Sequence, residues 1–397
     1  VSENRPAILG GRAAFPDGLR LLRPTLPPYD AVGPRWAESF ATGTLTKGPA
    51  LEEYERRLAD HLGVRHALGV SSCTAGLMLV LDRCRGRTAL LPSFTFMATA
   101  MAAGWAGLEL CFCDVDPHTW SLDPAAVEDA IVREGIGADG GVIVPVHVFG
   151  TPADTDAFAA ITRRTGIPTV YDAAHGFGAL CGGAPLGRQG TANVFSTSPT
   201  KLLITGEGGV VATDDDEVAA HVRIGREYGN PGDYDAVFVG MNARLSEAGA
   251  LLGIASLGLL EGEAERRNGL ARIYRSLLED VPGITFQALR PGDRCSYKDL
   301  SFTVGSAFGL TRDGLVAALA AEGIPSRAYY DPPAHRLAAF ADIGPSFESR
   351  LPETARLAGQ IVSLPLYGGL SDAEVEIVCD RVRDAHRHAG DIAAALS

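Results

Sequence analysis

The chain has 397 residues, 46% of them hydrophobic and 21% charged, with a formal net charge of -13. That length accommodates one large core and a smaller satellite domain, since domains typically hold ~100–200 residues. The acidic balance excludes general nucleic-acid binding, which needs a basic surface, so any anionic ligand must be held by a local site.

The opening VSENRPAILGG lacks a basic start and a long apolar run, and no later stretch is long enough to cross a bilayer. A cytoplasmic protein without membrane contact is therefore expected. The first ~40 residues are proline-rich and read as loop, free to return to the C-terminal part or to approach an active site. From about Ala50 to Asp215, helical and strand patterns alternate, the signature of a mostly parallel sheet covered by helices. PALEEYERRLADHLG spaces Leu51, Tyr54, Leu58 and Leu62 as one helical face and stops at Gly63. HALGVSS then reads as a strand entering a turn, and TAGLMLVLDRC resumes helical spacing. TALLPSFTF, GLELCFCDV, GGVIVPVHV and PTVYDAA are compact apolar runs that suit buried strands. The seven cysteines are scattered, which implies neither a disulfide nor a zinc framework, and Cys111 and Cys113 share one face of a strand as core residues. NVFSTS and GGVVATDD suggest a β-hairpin. After Asp216 come helices at VAAHVRIGREY and in the long stretch from Ser246 to Asp280, then a break at Pro282–Gly283. KDLSFTV and SRAYY read as strands, TRDGLVAALAAEG as a helix capped by Thr311, and DAEVEIVCDRVRDAHRHAG as the last helix. The expected division is an N-terminal segment 1–40, a large domain 41–260 and a small α+β domain 261–397.

The segment YDAAHGFGA followed by FSTSPTKLLITGEGG carries chemistry. Asp172 ends an apolar strand, where ligand sites of α/β sheets lie, and Lys201 follows among Pro199, Leu202 and Leu203. Pyridoxal 5'-phosphate (PLP) requires such a pair. A lysine must offer an unprotonated amine to the cofactor aldehyde, and a carboxylate must keep the pyridine nitrogen protonated so that the ring withdraws electrons. An isolated aspartate and lysine are as readily a helix cap and a surface cation. SSCTAGL, following a strand and opening a helix, offers backbone N–H groups and the Thr74 hydroxyl to a phosphate, although an ordinary N-cap reads the same way. Ser196 at a strand end and Phe96 in PSFTFMAT are open to the same two readings, ligand contact or local structure.

The ordered series GPALEEYE, SSCTAGL, PSFTFMAT with FCDVDPHTWSLDP, VHVFG, DAAHGFGA, FSTSPTK with GEGG, and GMNARLSE resembles the nucleotide-sugar aminotransferases of the DegT/DnrJ/StrS type over Gly10 to Arg383. The resemblance implies a fold-type I aminotransferase of the α/β class. It implies a large, mostly parallel-sheet PLP domain with a smaller α+β C-terminal domain. It places Lys201 as the lysine bonded to PLP, Asp172 opposite the pyridine nitrogen, Phe96 on the ring, and Cys73, Thr74 and Ser196 at the phosphate. Asn242 falls where a neighbouring subunit reaches the phosphate, which implies a homodimer with shared active sites. SRAYYDPPAH matches a loop near the sugar, making Tyr330 and His335 substrate-binding candidates. The partners implied are a nucleotide sugar and an amino-acid donor, glutamate by family expectation.

Three departures matter. Ser196-Thr197-Ser198 replaces the usual Ser-Phe-His, Cys73 stands where glycine is usual, and His175 replaces a frequent glutamine. Histidine there resembles a subgroup that aminates the 4-keto carbon of a deoxysugar nucleotide, with dTDP-4-amino-4,6-dideoxyglucose as the expected product. Amination of a 3-keto sugar and a non-catalytic regulator are the alternatives. A related dehydratase is disfavoured because Lys201 is present, and a Rossmann dehydrogenase because no G-x-G-x-x-G follows the first strand.

Overall fold

The structure is a computed structural model that describes residues 5–84 and 87–396. Its centre is a sheet built from two hydrogen-bonded groups. In one, His66–Val70, Gly209–Thr213, Ala192–Ser196 and Val170–Asp172 lie side by side; in the other, Glu109–Cys113 and Gly141–Ile143 flank Thr88–Pro92 in parallel. Parallel bridges Ile143–Thr169 and Val146–Asp172 join the two groups. Within these seven strands only Gly209–Thr213 is reversed, pairing antiparallel with both neighbours. The expectation of a mostly parallel sheet is met, and the hairpin at NVFSTS and GGVVATDD forms. The continuous apolar runs follow from burial on both faces: Leu90, Phe112, Val142, Val170 and Val194 are all buried.

Helices Pro49–Leu62 and Cys73–Arg83 lie where the apolar spacing places them, the first ending on Gly63 at φ 67°, a left-handed position that favours glycine. The stretch after Ser246 divides into Glu247–Leu257 and Leu260–Leu278. The C-terminal part holds an antiparallel sheet in the order Ile284–Phe286, Leu300–Val304, Ile361–Leu364. Helices Leu260–Leu278, Arg312–Ala321 and Asp372–Arg387 supply Tyr274, Leu315 and Val378 to one core with Phe302 and Val362 of that sheet. Thr311 caps the second of these helices, accepting from Gly314 N at 3.1 Å.

Two expectations are corrected. SRAYY forms no strand; a single bridge from Arg327 to Ser363 is its only ladder contact among the described residues, and Tyr329 and Tyr330 turn toward a cavity instead. The N-terminal segment is not all loop, because Gly33–Thr42 is helical, opened by Pro34 and stopped at Gly43. The segment makes both contacts open to it: Ile8, Leu9, Phe15 and Leu19 pack on the C-terminal core, and Leu22 reaches the cavity.

Candidate active site

At the C-terminal ends of the central strands lies a cavity of about 320 Å³, lined among others by Cys73, Thr74, Phe96, Asp172, His175, Ser196, Lys201 and Tyr330. Lys201 sits in the loop joining Ala192–Ser196 to Gly209–Thr213. The loop is closed on itself: Thr197 N donates to Gly208 O at 3.0 Å, Thr205 N donates to Thr197 O at 2.8 Å, and the two threonine hydroxyls meet at 2.7 Å. Leu202, Leu203 and Ile204 anchor it in the core beneath. Burial lowers the Lys201 ammonium from its ordinary 10.5 to about 8, and the nearby positive charge of Lys298 adds to the shift. At pH 7 roughly a tenth of the amine is then neutral, against fewer than about one part in a thousand at the ordinary value, which brings the nucleophilic form within reach.

Asp172 is 4% exposed at the end of Val170–Asp172. Its carboxylate accepts from Thr99 Oγ1 at 2.7 Å and from Ala174 N at 3.0 Å. Burial raises its pKa, while these two donors and the charge of Lys201 hold it down. No basic side chain bonds to it among the described residues, so a buried acceptor faces the cavity without a cation at hydrogen-bond range. Three residues on, His175 is held by its own backbone: its carbonyl accepts from Ser296 Oγ at 2.7 Å. Burial keeps its ring neutral, and Nδ1 has no hydrogen-bond partner.

The turn Val70–Cys73 approaches Gly209 so closely that a Cβ there would lie 2.5 Å from Cys73 N, which restricts the position to glycine. Ser72 caps the helix that follows, accepting from Ala75 N at 3.0 Å. Cys73 opens that helix with Sγ donating to Val194 O at 3.3 Å, so replacing the usual glycine leaves the backbone of the turn intact. Phe96 remains 52% exposed at the cavity mouth, 6.4 Å from Tyr330, which stacks on Phe149 at 5.7 Å.

Asn242 and His335 stand apart from this wall. Asn242 is exposed and bridges to Glu227. His335 is buried with both ring nitrogens engaged, Nδ1 with Ser93 Oγ at 2.6 Å and Nε2 with Glu348 at 2.9 Å, the arrangement of a packing residue. Conversely, Lys298, Asp299, Glu207, Tyr329 and Thr99 carry polar groups at or behind the cavity that the sequence reading passed over. The available signal for two of them was the doublet Lys298-Asp299 heading the buried strand Leu300–Val304.

A family profile described as the DegT/DnrJ/EryC1/StrS aminotransferase family matches residues 34–383. The chain is 34% identical over 354 residues to a dTDP-3-amino-3,4,6-trideoxy-alpha-D-glucose transaminase of Streptomyces venezuelae, covering 88% of this chain and 90% of the relative. It is 32% identical over 345 residues to a pleiotropic regulatory protein of Geobacillus stearothermophilus, covering 86% and 90%. The crystal structure of DesI, solved in the presence of its TDP-sugar product, superposes with a TM-score of 0.89 at 31% identity over 99% of both chains.

Proposed function

The chain belongs to the DegT/DnrJ/EryC1/StrS aminotransferase family, and from that premise we propose that it aminates carbon 4 of a keto-6-deoxyhexose carried by a nucleoside diphosphate. It is a PLP-dependent sugar-nucleotide aminotransferase; the carbon, the nucleotide and the residue roles are the proposal. The cavity fits the cofactor on two observations, the unpartnered His175 Nδ1 and the buried Asp172 carboxylate that no basic side chain contacts. When bound, PLP supplies an aldehyde that receives the amino group and a protonated ring that withdraws electrons from the carbon losing its proton.

The chain's own groups divide the remaining work. The Lys201 amine would hold the cofactor and is placed to act as the base that moves the proton at the reacting carbon. Asp172 would accept the ring N–H, with Thr99 and Ala174 fixing the orientation of its carboxylate. Cys73 N, Thr74 and Ser196 hold the phosphate at the start of a helix. Phe96 and His175, which line the same cavity as Lys201, would border the cofactor ring. Tyr330 borders the space left for the sugar.

The preference for carbon 4 rests on the resemblance of His175, which lines the cavity, to the histidine of the 4-keto subgroup, and the match over 99% of both chains to DesI, solved in the presence of its TDP-sugar product, supports a nucleotide-sugar substrate. The proposed reaction converts dTDP-4-keto-6-deoxyglucose to dTDP-4-amino-4,6-dideoxyglucose with glutamate as donor, for an aminosugar of a secondary metabolite or polysaccharide. A second reading, amination at carbon 3, is favoured by the Streptomyces venezuelae relative. Incubation with PLP, glutamate and matched 3-keto and 4-keto nucleotide sugars, with the product identified by mass spectrometry and NMR, separates them. Amination of the 3-keto sugar alone refutes carbon 4, and conversion of neither, with cofactor bound, favours a regulator.

A two-fold dimer with shared sites is part of the same proposal. Supporting it, Asn242 closes a segment in which Tyr234 and Val239 are 98% and 95% exposed, apolar surface that a partner would cover. In hybrids of Lys201→Ala and Asn242→Ala subunits, one site collects both defects and the other is intact, so activity returns. Hybrids that form without regaining activity place Asn242 outside the partner's site.

A further inference from the structure

The chain contains three lysines, Lys47, Lys201 and Lys298, among 35 lysines and arginines, and two of the three line one buried cavity. Arginine supplies the rest of these cations; Lys298 is a compact ammonium that lines a small recess together with Lys201 and His175. Its side chain is 6% exposed, and Nζ donates to Asp299 Oδ1 at 2.8 Å and Oδ2 at 3.0 Å. An ammonium has three donors, and both recorded bonds go to one carboxylate. A buried ion pair of sequence neighbours is costly to desolvate. The preceding backbone is also committed to presenting it: Tyr297 adopts φ 48°, and Lys298 N donates to Phe149 O at 3.0 Å.

We propose that Lys298 binds the α-carboxylate of the amino donor, with Asp299 as its stand-in partner when no donor is present. This rests on the aminotransferase reading and on glutamate as the donor. The carboxylate of an α-amino acid lies two bonds from its amine, so its anchor must stand next to the lysine at which the amine is exchanged, as Lys298 does. The diphosphate of a sugar nucleotide is separated from the reacting carbon by the sugar ring and must lie nearer the mouth. The pair also reconciles two unlike substrates in one recess. Against the uncharged sugar, Lys298 and Asp299 present no net charge; against the donor, the ammonium turns its free donor to the incoming carboxylate.

The test uses the holoenzyme and two measurements. Glutarate, a dicarboxylate without an amine, reports carboxylate binding by calorimetry. The donor and acceptor half-reactions are then timed separately from cofactor absorbance. Lys298→Met is expected to weaken glutarate binding about 10- to 100-fold, the loss of a charge-assisted bond. It should slow the glutamate half-reaction at least about tenfold more than the sugar half-reaction, with Lys298→Arg restoring part of the difference. Unchanged glutarate binding, or equal losses in both half-reactions, overturns the assignment for Lys298 alone. A wild-type enzyme that neither binds glutarate nor reacts with glutamate, yet transfers an amine from another donor, overturns glutamate as the donor and this assignment with it.

Discussion

The two sheets contribute to the cavity in different ways. The central sheet delivers Asp172, Ser196 and Lys201 from strand ends and the loop between two paired strands, positions fixed by ladder hydrogen bonds on both sides. The antiparallel sheet delivers Lys298 and Asp299 just before its central strand Leu300–Val304, and the following crossover delivers Tyr329 and Tyr330. Groups proposed to handle the cofactor thus sit on the central sheet, and groups proposed to meet the substrates come from the other part of the chain. The division teaches where substitutions should abolish chemistry and where they should shift substrate use.

The largest expected effect is at the centre. Lys201→Ala should abolish turnover while leaving the fold intact, because the loop is anchored by Thr197, Thr205 and the buried leucines rather than by the amine. Residual turnover near the wild-type rate would dissolve the distinction between the two sheets. Asp172→Asn should depress proton abstraction by about 3 kcal/mol, on the order of a hundredfold in rate, with cofactor still bound. A near-normal rate would make the carboxylate structural.

A pH measurement sharpens the comparison without touching turnover. The Lys201 pKa is depressed to about 8 in the folded protein against 10.5 unfolded, so burying its ammonium costs the full penalty below about pH 8. Between about 8 and 10.5 the unfolded state binds more protons, and stability rises with pH by up to about 3 kcal/mol from this group. In cofactor-free protein, the wild type minus Lys201→Met difference in unfolding free energy should therefore shift toward the wild type from pH 7.5 to 9.5. A flat difference would mean the amine is solvated. The smallest effect is expected at His335, outside the cavity wall. His335→Gln should cost about 1–2 kcal/mol of stability through its bonds to Ser93 and Glu348, with the KM for the sugar nucleotide unchanged.

How much was legible follows the same line. The central sheet could be read because its strands are buried on both faces and announce themselves as unbroken apolar runs, and because the SSCTAGL turn, Asp172 and Lys201 follow one another at or just beyond their ends. The C-terminal contributions could not. SRAYY has strand composition, yet its tyrosines pack into the cavity beside Phe94 and Phe149 rather than joining the ladder, a tertiary demand that local propensity does not record. His335 looked like a ligand residue until the structure showed Ser93 and Glu348, 242 and 13 residues away, taking both nitrogens. Lys298 was hidden by its strand, since pattern reading weighs the apolar positions and treats a leading Lys-Asp pair as solvated.

Two buried lysines in one cavity make the central claim directly measurable. Borohydride reduction of the yellow holoenzyme, followed by peptide mapping, fixes the cofactor to whichever amine holds it. All label is expected on Lys201, whose amine has no carboxylate bonded to it among the described residues, and none on Lys298, which is held by Asp299. Label on Lys298 would contradict that claim.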